Sequence, residues 1–479
     1  MQNKITLLTF LILFIHTCAY SATLFTPRLT IREEYSDNLD LTPDSEKADW
    51  ITTISPGASL EIAGRTSGIL LDYEPSIVMY SRYNEYDTWR HRGNIGFWAD
   101  LSRRTSFEFE NVSTYTEDPI SESDTTVRTG RYHYFLNIAS TTLSYQFGPQ
   151  DSLNLGYIYE FLENEDTSLE NDDAYAQDTQ RHEPYIRLTY WPFENEWGTE
   201  TEVRYSKRFY KESDFFFEPS GDFDDPLDDF DLWTAGLRLI RRFNQRIDGS
   251  FRYTYSNMEF DGPRDENYQL HIIGPGLQYI IGEHTDLSAE LMYFIRDREI
   301  SKDESGFIFI SELFQRWPFS RSYIELTASS GYQPDTFGAE SNGFDIFAEI
   351  DATYEHSFTR QTRWDIFGAA RYDQYIDREP ERVDNTFRAG TGLSHRILSW
   401  ATLRLEYRYR QVLSENYESE YVENRGMISL TMMPSREHGT LRDRTHSGSS
   451  LRDRENPSMG REAADEELEN SDEDSSDRR

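Results

Sequence analysis

Hydrophobic and polar residues alternate along most of this chain, and residues 50–82 show the unit that repeats. From Trp50 through Ile54 to Ile62 every second side chain is mostly apolar, and polar residues lie between them. A short polar turn at 63–67 leads into a second alternating run that ends near Met79. Such alternation places two sets of side chains on opposite faces of a β-strand, and a tight turn joins two runs into a hairpin. Each run can cross a bilayer as a tilted strand, which takes roughly 9–11 residues.

The same hairpin pattern continues to about residue 432, with connections that are alternately short and long. Short turns such as 102–105 and 148–151 are separated by long polar loops such as 117–130 and 211–230. Outer-membrane β-barrels have short periplasmic turns and long extracellular loops. We therefore predict an all-β fold, a transmembrane antiparallel up-and-down β-barrel of about 20 strands in the bacterial outer membrane. Counts of about 18 or 16 remain alternatives, because strand ends read from a sequence shift by a few residues.

The two ends of the chain differ from the repeat. Residues 1–21 have a lysine, an apolar core and a small-x-small site, which predict a signal peptide. Residues 22–433 form the predicted barrel, and 434–479, which lack aromatic residues and end in an acidic block, are predicted to be a disordered periplasmic tail. The only cysteine, Cys18, lies in the leader behind a poor lipobox, so the mature chain is expected to have no disulfide. No later run is apolar enough for a membrane-spanning helix.

The amino-acid composition agrees with a barrel and restricts the classes of molecule that the protein is expected to bind. Hydrophobic residues make up only 37%, yet aromatic residues reach 15%, which fits a thin apolar band with aromatic girdles around a polar interior. A soluble β-sandwich also alternates, but the alternating connection lengths and the charged second face favour a barrel. Tyrosines near strand ends predict the interface belts, namely Tyr73, Tyr205, Tyr255, Tyr293, Tyr354 and Tyr407. The net charge of −38 argues against nucleic acid as a partner.

If the apolar face meets lipid, the other face lines the lumen. We predict these lumen-lining arginines: Arg187, Arg204, Arg238, Arg252, Arg371, Arg388, Arg404 and Arg408. They either guide an anionic solute with their guanidinium forks or pair with carboxylates on adjacent strands and fill a wet lumen. The acidic strand at 345–355 has no basic residue of its own, so it needs neighbours such as Arg363 or Arg371.

Catalysis and metal binding find little support in the sequence. His182, His271, His284, His356 and His395 are scattered, and no GxSxG or HExxH motif is present. The acidic loop 222–231 could collect calcium, but it lacks the spacing and glycine of an EF-hand. We expect a solvated loop that faces cation-bridged lipopolysaccharide, no cofactor, no metal site and no enzymatic activity.

The N-terminal motifs resemble one known family. Residues 35–38 (Tyr-Ser-Asp-Asn) are followed by 49–51 (Asp-Trp-Ile), 54–57 (Ile-Ser-Pro-Gly), 71–73 (Leu-Asp-Tyr) and Tyr80. This order is similar to that of an outer-membrane β-barrel porin family often found beside exosortase (PEP-CTERM) and exopolysaccharide loci. The likeness covers roughly the first 70 mature residues, and beyond them only the general barrel pattern is shared. The family has no established catalytic residues, so none is carried over.

The resemblance implies a porin-like channel for exopolysaccharide export or cell-surface assembly. Together with the lumen it predicts passage of polar or anionic solutes. The expected partners are outer-membrane lipid or lipopolysaccharide, polysaccharide, and periplasmic export or assembly components. The alternative is a non-conducting barrel that works as a surface binding or assembly protein through its acidic loops and tail.

Overall fold

The computed structural model describes residues 22–44, 46–118, 133–164, 178–193, 196–211, 229–262, 266–282, 284–333, 344–376, 382–415 and 419–434. They form one 20-stranded antiparallel sheet with a single short 3-10 helix, Asn84–Tyr86. Within these ranges no helix has the length and apolar character that a membrane crossing needs. The predicted signal peptide, most of the acidic loop 222–231 and nearly all of the predicted tail lie outside the described residues.

The strands follow the alternating pattern from one end of the described chain to the other. They are β1 (Ala22–Ser36), β2 (Asp49–Ala63), β3 (Ser67–Tyr80), β4 (Thr88–Ser102), β5 (Thr105–Thr116), β6 (Tyr134–Gln146), β7 (Ser152–Asn164), β8 (Asp178–Phe193), β9 (Trp197–Lys211), β10 (Phe230–Asn244), β11 (Ile247–Phe260), β12 (Tyr268–Gly282), β13 (Thr285–Arg298), β14 (Glu304–Pro318), β15 (Ser322–Gln333), β16 (Asp345–Ser357), β17 (Thr362–Tyr375), β18 (Arg382–Leu398), β19 (Ala401–Ser414) and β20 (Tyr421–Met432).

The sheet closes on itself, because β1 pairs with β2 on one side and with β20 on the other. The closing ladder joins 29–36 of β1 to 425–432 of β20. Closure gives every strand a neighbour on both sides, which a lipid bilayer requires because hydrocarbon cannot satisfy a bare sheet edge. The predicted antiparallel barrel of about 20 strands is confirmed, and the alternative counts of 18 and 16 are wrong.

The outer face is apolar, as a bilayer requires. On β8, for example, Ile186, Leu188 and Tyr190 are exposed, whereas Arg187 between them faces inward and is ion-paired. At the end with long connections, aromatic rings of neighbouring strands meet on this face, with centroids 5.2 Å apart for Tyr35–Trp50 and 4.6 Å apart for Tyr205–Trp233. An apolar band bordered by aromatic belts on a closed barrel is the architecture of bacterial outer-membrane proteins.

Connection lengths alternate as the sequence predicts. One end has short turns such as 245–246 and 399–400, and the other has connections as long as 117–133 and 212–229. Both β1 and β20 have their free ends on the short-turn side, which is the periplasmic side in barrels of this kind. The stretch 84–91, which its polar residues predict to be a loop, is partly strand: it includes the 3-10 helix, and β4 already begins at Thr88. Trp89 and His91 face outward there and Arg90 faces inward. Because the outward row includes the polar His91, the sequence shows little alternation of apolar and polar residues.

Candidate functional site: the charged lumen

The eight arginines predicted from the sequence all lie on the face opposite the exposed apolar row. Each forms an ion pair with a carboxylate on its own or a nearby strand. The pairs are Arg187–Glu202, Arg204–Glu183, Arg238–Glu200, Arg252–Glu290, Arg371–Asp373, Arg388–Glu349, Arg404–Asp365 and Arg408–Glu406. Because these charges are largely compensated where they stand, a net positive field can arise only where arginines are locally in excess.

The acidic strand β16 takes its cations from its neighbours. Glu349 pairs with Arg371 at 3.5 Å and with Arg388 at 2.6 Å, and Glu355 pairs with Arg363 at 3.2 Å. The expectation that this strand depends on arginines from adjacent strands is confirmed. Around Arg371 the network is buried, so its members have no water to replace a lost partner.

Several inner ion pairs span three strands, and a glycine on the middle strand makes room for them. Arg28 of β1 crosses Gly57 of β2 to reach Asp72 (2.7 Å) and Glu74 (2.6 Å) on β3. A Cβ at Gly57 would lie only 2.8 Å from Nε of Arg28. The long side chain therefore lies flat on the wall instead of projecting into the lumen.

The same arrangement, in which an ion pair crosses a glycine on the middle strand, occurs elsewhere in the barrel. Arg404 of β19 passes over Gly392 of β18 to Asp365 of β17 at 2.9 Å, and a Cβ at Gly392 would meet the Arg404 guanidinium at 2.5 Å. Glu290 of β13 likewise passes over Gly276 of β12. It reaches Arg252 of β11 at 3.1 Å.

We predict that Gly57→Ala destabilises the barrel by roughly 1–3 kcal/mol, because the new methyl group displaces Arg28 from two carboxylates that then lack a partner. The free energy of unfolding, measured by urea titration in lipid vesicles, checks this. The matched control is Gly236→Ala, since the nearest atom to a Cβ there is 3.8 Å away. Equal losses in the two variants would show that Arg28 does not depend on the glycine.

Five arginines cluster at the seam where the two ends of the chain meet. A cavity of about 240 Å³ lies there on the inner face, between β19, β20, β1 and β2 and the strand ends around Arg90 and Asp118. Its lining includes five arginines and three carboxylates, hence a formal net charge of +2. The lining residues are Arg32, Glu34, Ile51, Thr53, Arg90, Asp118, Arg404, Glu406, Arg408, Arg425, Met427 and Ser429.

Strand register arranges this lining in rows. One row crosses four strands as Arg404, Ser429, Arg32 and Thr53, all hydrogen-bond donors. Two residues further along the strands, the next row holds the acidic residues Glu406 and Glu34, and the third holds Arg408 beside Arg425. The closing ladder of the barrel therefore also assembles the cavity, and neither end of the chain forms it alone.

Two guanidinium groups in the cavity keep unused donors. Arg90, Arg404 and Arg425 are each bound to carboxylates that lie partly behind the cavity wall. By contrast, the Arg408 side chain is 56% exposed and bonds only through Nε to Glu406 among the described residues. Arg32 is 37% exposed, its nearest carboxylate is 3.5 Å away, and its Nε has no hydrogen-bond partner. These two forks are available to an anion.

The described part of the first long connection, residues 37–44 and 46–48, folds toward the inner face of the barrel beside this cavity. Its Leu39 is fully buried against the inner-face residues Ile51, Val78 and Tyr80. Its Leu41 packs against Val412 and Tyr421 on β19 and β20. Leu41 has a φ of 55°, in the left-handed region that a leucine rarely adopts, so packing on both sides must hold it there.

Polar contacts fix the same connection in place. The Asn38 side chain donates to the carbonyls of Thr42 (2.8 Å) and Val422 (3.1 Å), and the Asp49 carboxylate accepts the backbone N–H groups of Arg82 and Tyr83. Asn38 and Asp49 belong to the motifs that carry the family resemblance, so the structure gives those motifs a physical role.

A lysine in this connection adds a further contact. Lys47 bonds to Asp40 at 2.8 Å and to the Tyr86 hydroxyl at 2.6 Å. Partial burial alone would lower the pKa of Lys47, but these two hydrogen bonds outweigh it and hold the pKa above its ordinary value. The connection is thus tied to the 3-10 helix that contains Tyr86.

A second element narrows the lumen from the β10–β16 side. Inner-face residues of β10–β14 form a buried apolar cluster of Phe230, Leu232, Met258, Tyr268, Leu270, Ile272, Met292, Phe294 and Ile308, which Phe344 completes. Tyr332 and Ile346 occupy outer-face positions of β15 and β16, yet they pack against this inner cluster. In agreement, β14 pairs with β15 only over 311–318. The end of the β15–β16 hairpin therefore leans into the lumen.

Three of the five cavity arginines, namely Arg32, Arg90 and Arg425, were not among the lumen-lining arginines predicted from the sequence. Arg32 alternates with the outward Ile31, so the same parity rule identifies it. Arg90 was hidden in a stretch predicted to be a loop, and Arg425 in the weakly patterned last strand. That these residues meet is visible only from the pairing of β1 with β20.

The histidines lie apart from the lumen network. His182, His271 and His395 bond through Nδ1 to hydroxyl groups of Tyr157, Tyr253 and Thr362 on the outer face. In the described part of the chain none of them meets a serine or a carboxylate, and no group of His, Cys, Asp and Glu there could hold a metal ion.

Comparisons with known proteins find distant structural likeness only. No family model matches the sequence, and neither does any curated protein. A mutant ferric enterobactin receptor from Pseudomonas aeruginosa is similar over 86% of this chain and 82% of its own, with a TM-score of 0.49 and 8% identity. The outer membrane protein OpdK from the same organism is similar over 86% and 99%, with a TM-score of 0.37 and 11% identity. OccAB2 from Acinetobacter baumannii is similar over 85% and 97%, with a TM-score of 0.39 and 14% identity. Likenesses this distant assign neither a family nor a function.

Proposed function

We propose that this protein is a porin-like outer-membrane channel that passes polar, anionic solutes. The observation that carries the proposal is the seam cavity, in which Arg32 and Arg408 offer guanidinium donors not taken up by carboxylates. Guanidinium groups fixed on a rigid wall match the two oxygens of a carboxylate or phosphate. Many of the other arginines of the wall are ion-paired with carboxylates, so their donors are already occupied.

The rows of the cavity predict the order in which a permeating anion meets hydrogen-bond donors and acceptors. An anion that enters the lumen meets the donor row of Arg404, Ser429 and Arg32, and the glutamate row beside it limits how tightly the anion is held. Conduction requires binding that is strong enough to attract a solute and weak enough to release it. Alternating donor and acceptor rows meet both requirements.

Removing the two available forks is expected to shift ion selectivity. In planar bilayers, Arg32→Gln with Arg408→Gln should keep its conductance but lower the anion-to-cation permeability ratio by roughly threefold or more, because the compensating carboxylates remain. The reversal potential in a salt gradient measures this ratio. The matched control is Arg241→Gln, which removes an outward-facing arginine that lies over the Trp197 ring at 5.0 Å. A wild-type protein without any conductance would contradict the channel itself.

The substrate that we propose is an acidic exopolysaccharide, in keeping with the N-terminal resemblance and with the donor-rich cavity. Uronate-containing oligosaccharides should block the single-channel current transiently, whereas neutral glucans of equal length should not. Conductance with no difference between acidic and neutral glycans would leave the channel standing and remove this substrate.

A second candidate function is that of a surface assembly protein whose barrel does not conduct. The narrowing of the lumen by residues 37–48 and by the leaning β15–β16 hairpin favours it. Under this proposal residues 434–479 bind a periplasmic export or assembly component. Deleting them would release that component in crosslinking experiments, while a channel without the tail would conduct as before.

A further inference from the structure

Three tyrosine–histidine pairs recur on the outer surface of the barrel. The Tyr hydroxyl and His Nδ1 are 2.8 Å apart in Tyr73–His91, 2.6 Å apart in Tyr157–His182 and 2.9 Å apart in Tyr253–His271. The pairs lie on β3–β4, β7–β8 and β11–β12, so two strands separate each dyad from the next. We call them the Tyr–His dyads.

The dyads share one geometry. In each, the histidine lies two residues before the residue that is in register with the tyrosine, which is Gly93, Pro184 and Ile273 in turn. A second tyrosine ring flanks each histidine, with centroids 6.0 Å away for Tyr115, 5.0 Å away for Tyr159 and 5.1 Å away for Tyr255. On β19–β20 the same diagonal joins Tyr407 to Asn424 at 2.6 Å. The same diagonal contact thus occurs four times, which makes it a repeated structural feature of this surface.

The hydrogen bonds of each dyad leave one donor of the histidine without a partner in the described part of the chain. The three tyrosine hydroxyls have no other partner among the described residues. We assign the shared proton to the hydroxyl, which donates it to Nδ1. The ring then carries its remaining proton on Nε2. In the described part of the chain Nε2 of these histidines makes no hydrogen bond, so each dyad presents one oriented N–H donor outward.

The position of the dyads limits what can accept that proton. Each histidine is the fourth or fifth residue of its strand at the long-connection end, in the aromatic belt that contains Tyr35–Trp50 and Tyr205–Trp233. Hydrocarbon offers no acceptor, so an N–H donor that stays unsatisfied there destabilises the folded protein. The headgroup layer of the outer leaflet supplies acceptors at this height.

We propose that the Tyr–His dyads are binding sites for phosphate groups of an outer-leaflet glycolipid. A phosphate oxygen accepts the Nε2 proton without offering a competing donor, and its negative charge strengthens the bond, whereas a sugar hydroxyl has neither property. The flanking tyrosine rings hold the imidazole plane and give the sugar faces an aromatic surface. Three sites spread around the β3–β12 side would fix a ring of lipids to that part of the wall, independently of whether the barrel conducts.

Native mass spectrometry of the full-chain protein in detergent tests this proposal with bis-phosphorylated lipid A as the probe. The wild type should retain up to three more lipids with the phosphorylated probe than with dephosphorylated lipid A, one for each dyad. The triple variant His91→Phe, His182→Phe, His271→Phe keeps the aromatic bulk and should lose this difference. Each single variant should lose one lipid, which preserves the test should the triple variant not fold.

The matched control is His356→Phe with His395→Phe. Both of these histidines lie on the outer face at the short-turn end, away from the outer leaflet, so the control should bind as many phosphorylated lipids as the wild type. The variant Tyr73→Phe, Tyr157→Phe, Tyr253→Phe removes the hydroxyls that orient the imidazoles and should lose at least half of the phosphate-dependent lipids. Equal binding by the triple histidine variant and the wild type, or equal binding of the two probes, would overturn the proposal.

Discussion

A chain that ends at residue 420 is expected not to insert into membranes, whereas a chain that ends at residue 433 should fold like the full protein. The shorter chain lacks β20, which pairs with β19 along its whole length and with β1 over 425–432. Without it, β1 and β19 present unpaired backbone groups to hydrocarbon, at several kcal/mol for each group. Cavity formation should fail as well, because Arg425, Met427 and Ser429 would be missing from its wall.

Heat-modifiable migration of the outer-membrane fraction on a gel measures this effect, since a closed barrel migrates faster before boiling than after it. The chain ending at 433 is the control for loss of residues from the C-terminus, because its last strand is intact. A protease-resistant, heat-modifiable band from the chain ending at 420 would mean that the barrel closes without β20, and that the β1–β20 ladder is dispensable.

The second large effect is expected from Arg371→Met, which should lower the free energy of unfolding by roughly 3–5 kcal/mol. Arg371 pairs with Asp373 at 2.8 Å and Glu349 at 3.5 Å, and it lies 3.9 Å from Asp345. Arg371, Asp373 and Asp345 are buried, and the Glu349 side chain is only 8% exposed. Methionine fills much of the volume but leaves carboxylates without their cation in a site that water does not reach. Urea unfolding in lipid vesicles, followed by tryptophan fluorescence, gives the free energy.

Arg363→Met on the same strand is the matched control. Arg363 pairs with Glu355 of the same acidic strand, but its side chain is 39% exposed, so water replaces the lost partner and the cost should be about 0–1 kcal/mol. Arg371→Lys should fall between the two, because it keeps the charge and loses the fork. A loss no larger for Arg371→Met than for Arg363→Met would mean that the inner network is solvated throughout.

The architecture follows from a local property of the sequence. The face of a strand that a side chain occupies depends only on whether its position is odd or even. The faces of Ile186, Arg187 and Leu188 can therefore be predicted without knowing any partner strand. Long and short connections likewise disclose which end of the barrel they occupy. For the same reason the eight predicted arginines were assigned to the inner face, and tyrosines such as Tyr73 were assigned to the outer face.

Other features depend on pairing between strands that are far apart in the chain. Arg28 meets Asp72 only because Gly57 lies between them on the middle strand, and Gly57 as read in the sequence is just one small residue in an alternating run. The inward fold of residues 37–48 and the lean of the β15–β16 hairpin are also invisible to alternation. In the latter case alternation is even misleading, since Tyr332 has an outer-face position and packs inside.

The sequence by itself therefore determined an antiparallel barrel of about 20 strands, and which face of each strand a side chain occupies. Only the tertiary structure decided the exact number of strands, which arginines keep donors that no carboxylate takes up, and which elements fold inward. The physical reason is that alternation is a property of each strand taken alone. Ion pairing and the seam cavity, in contrast, depend on the register between strands and on the closure of the barrel. Closure brings Arg32 of the first strand beside Ser429 of the last strand.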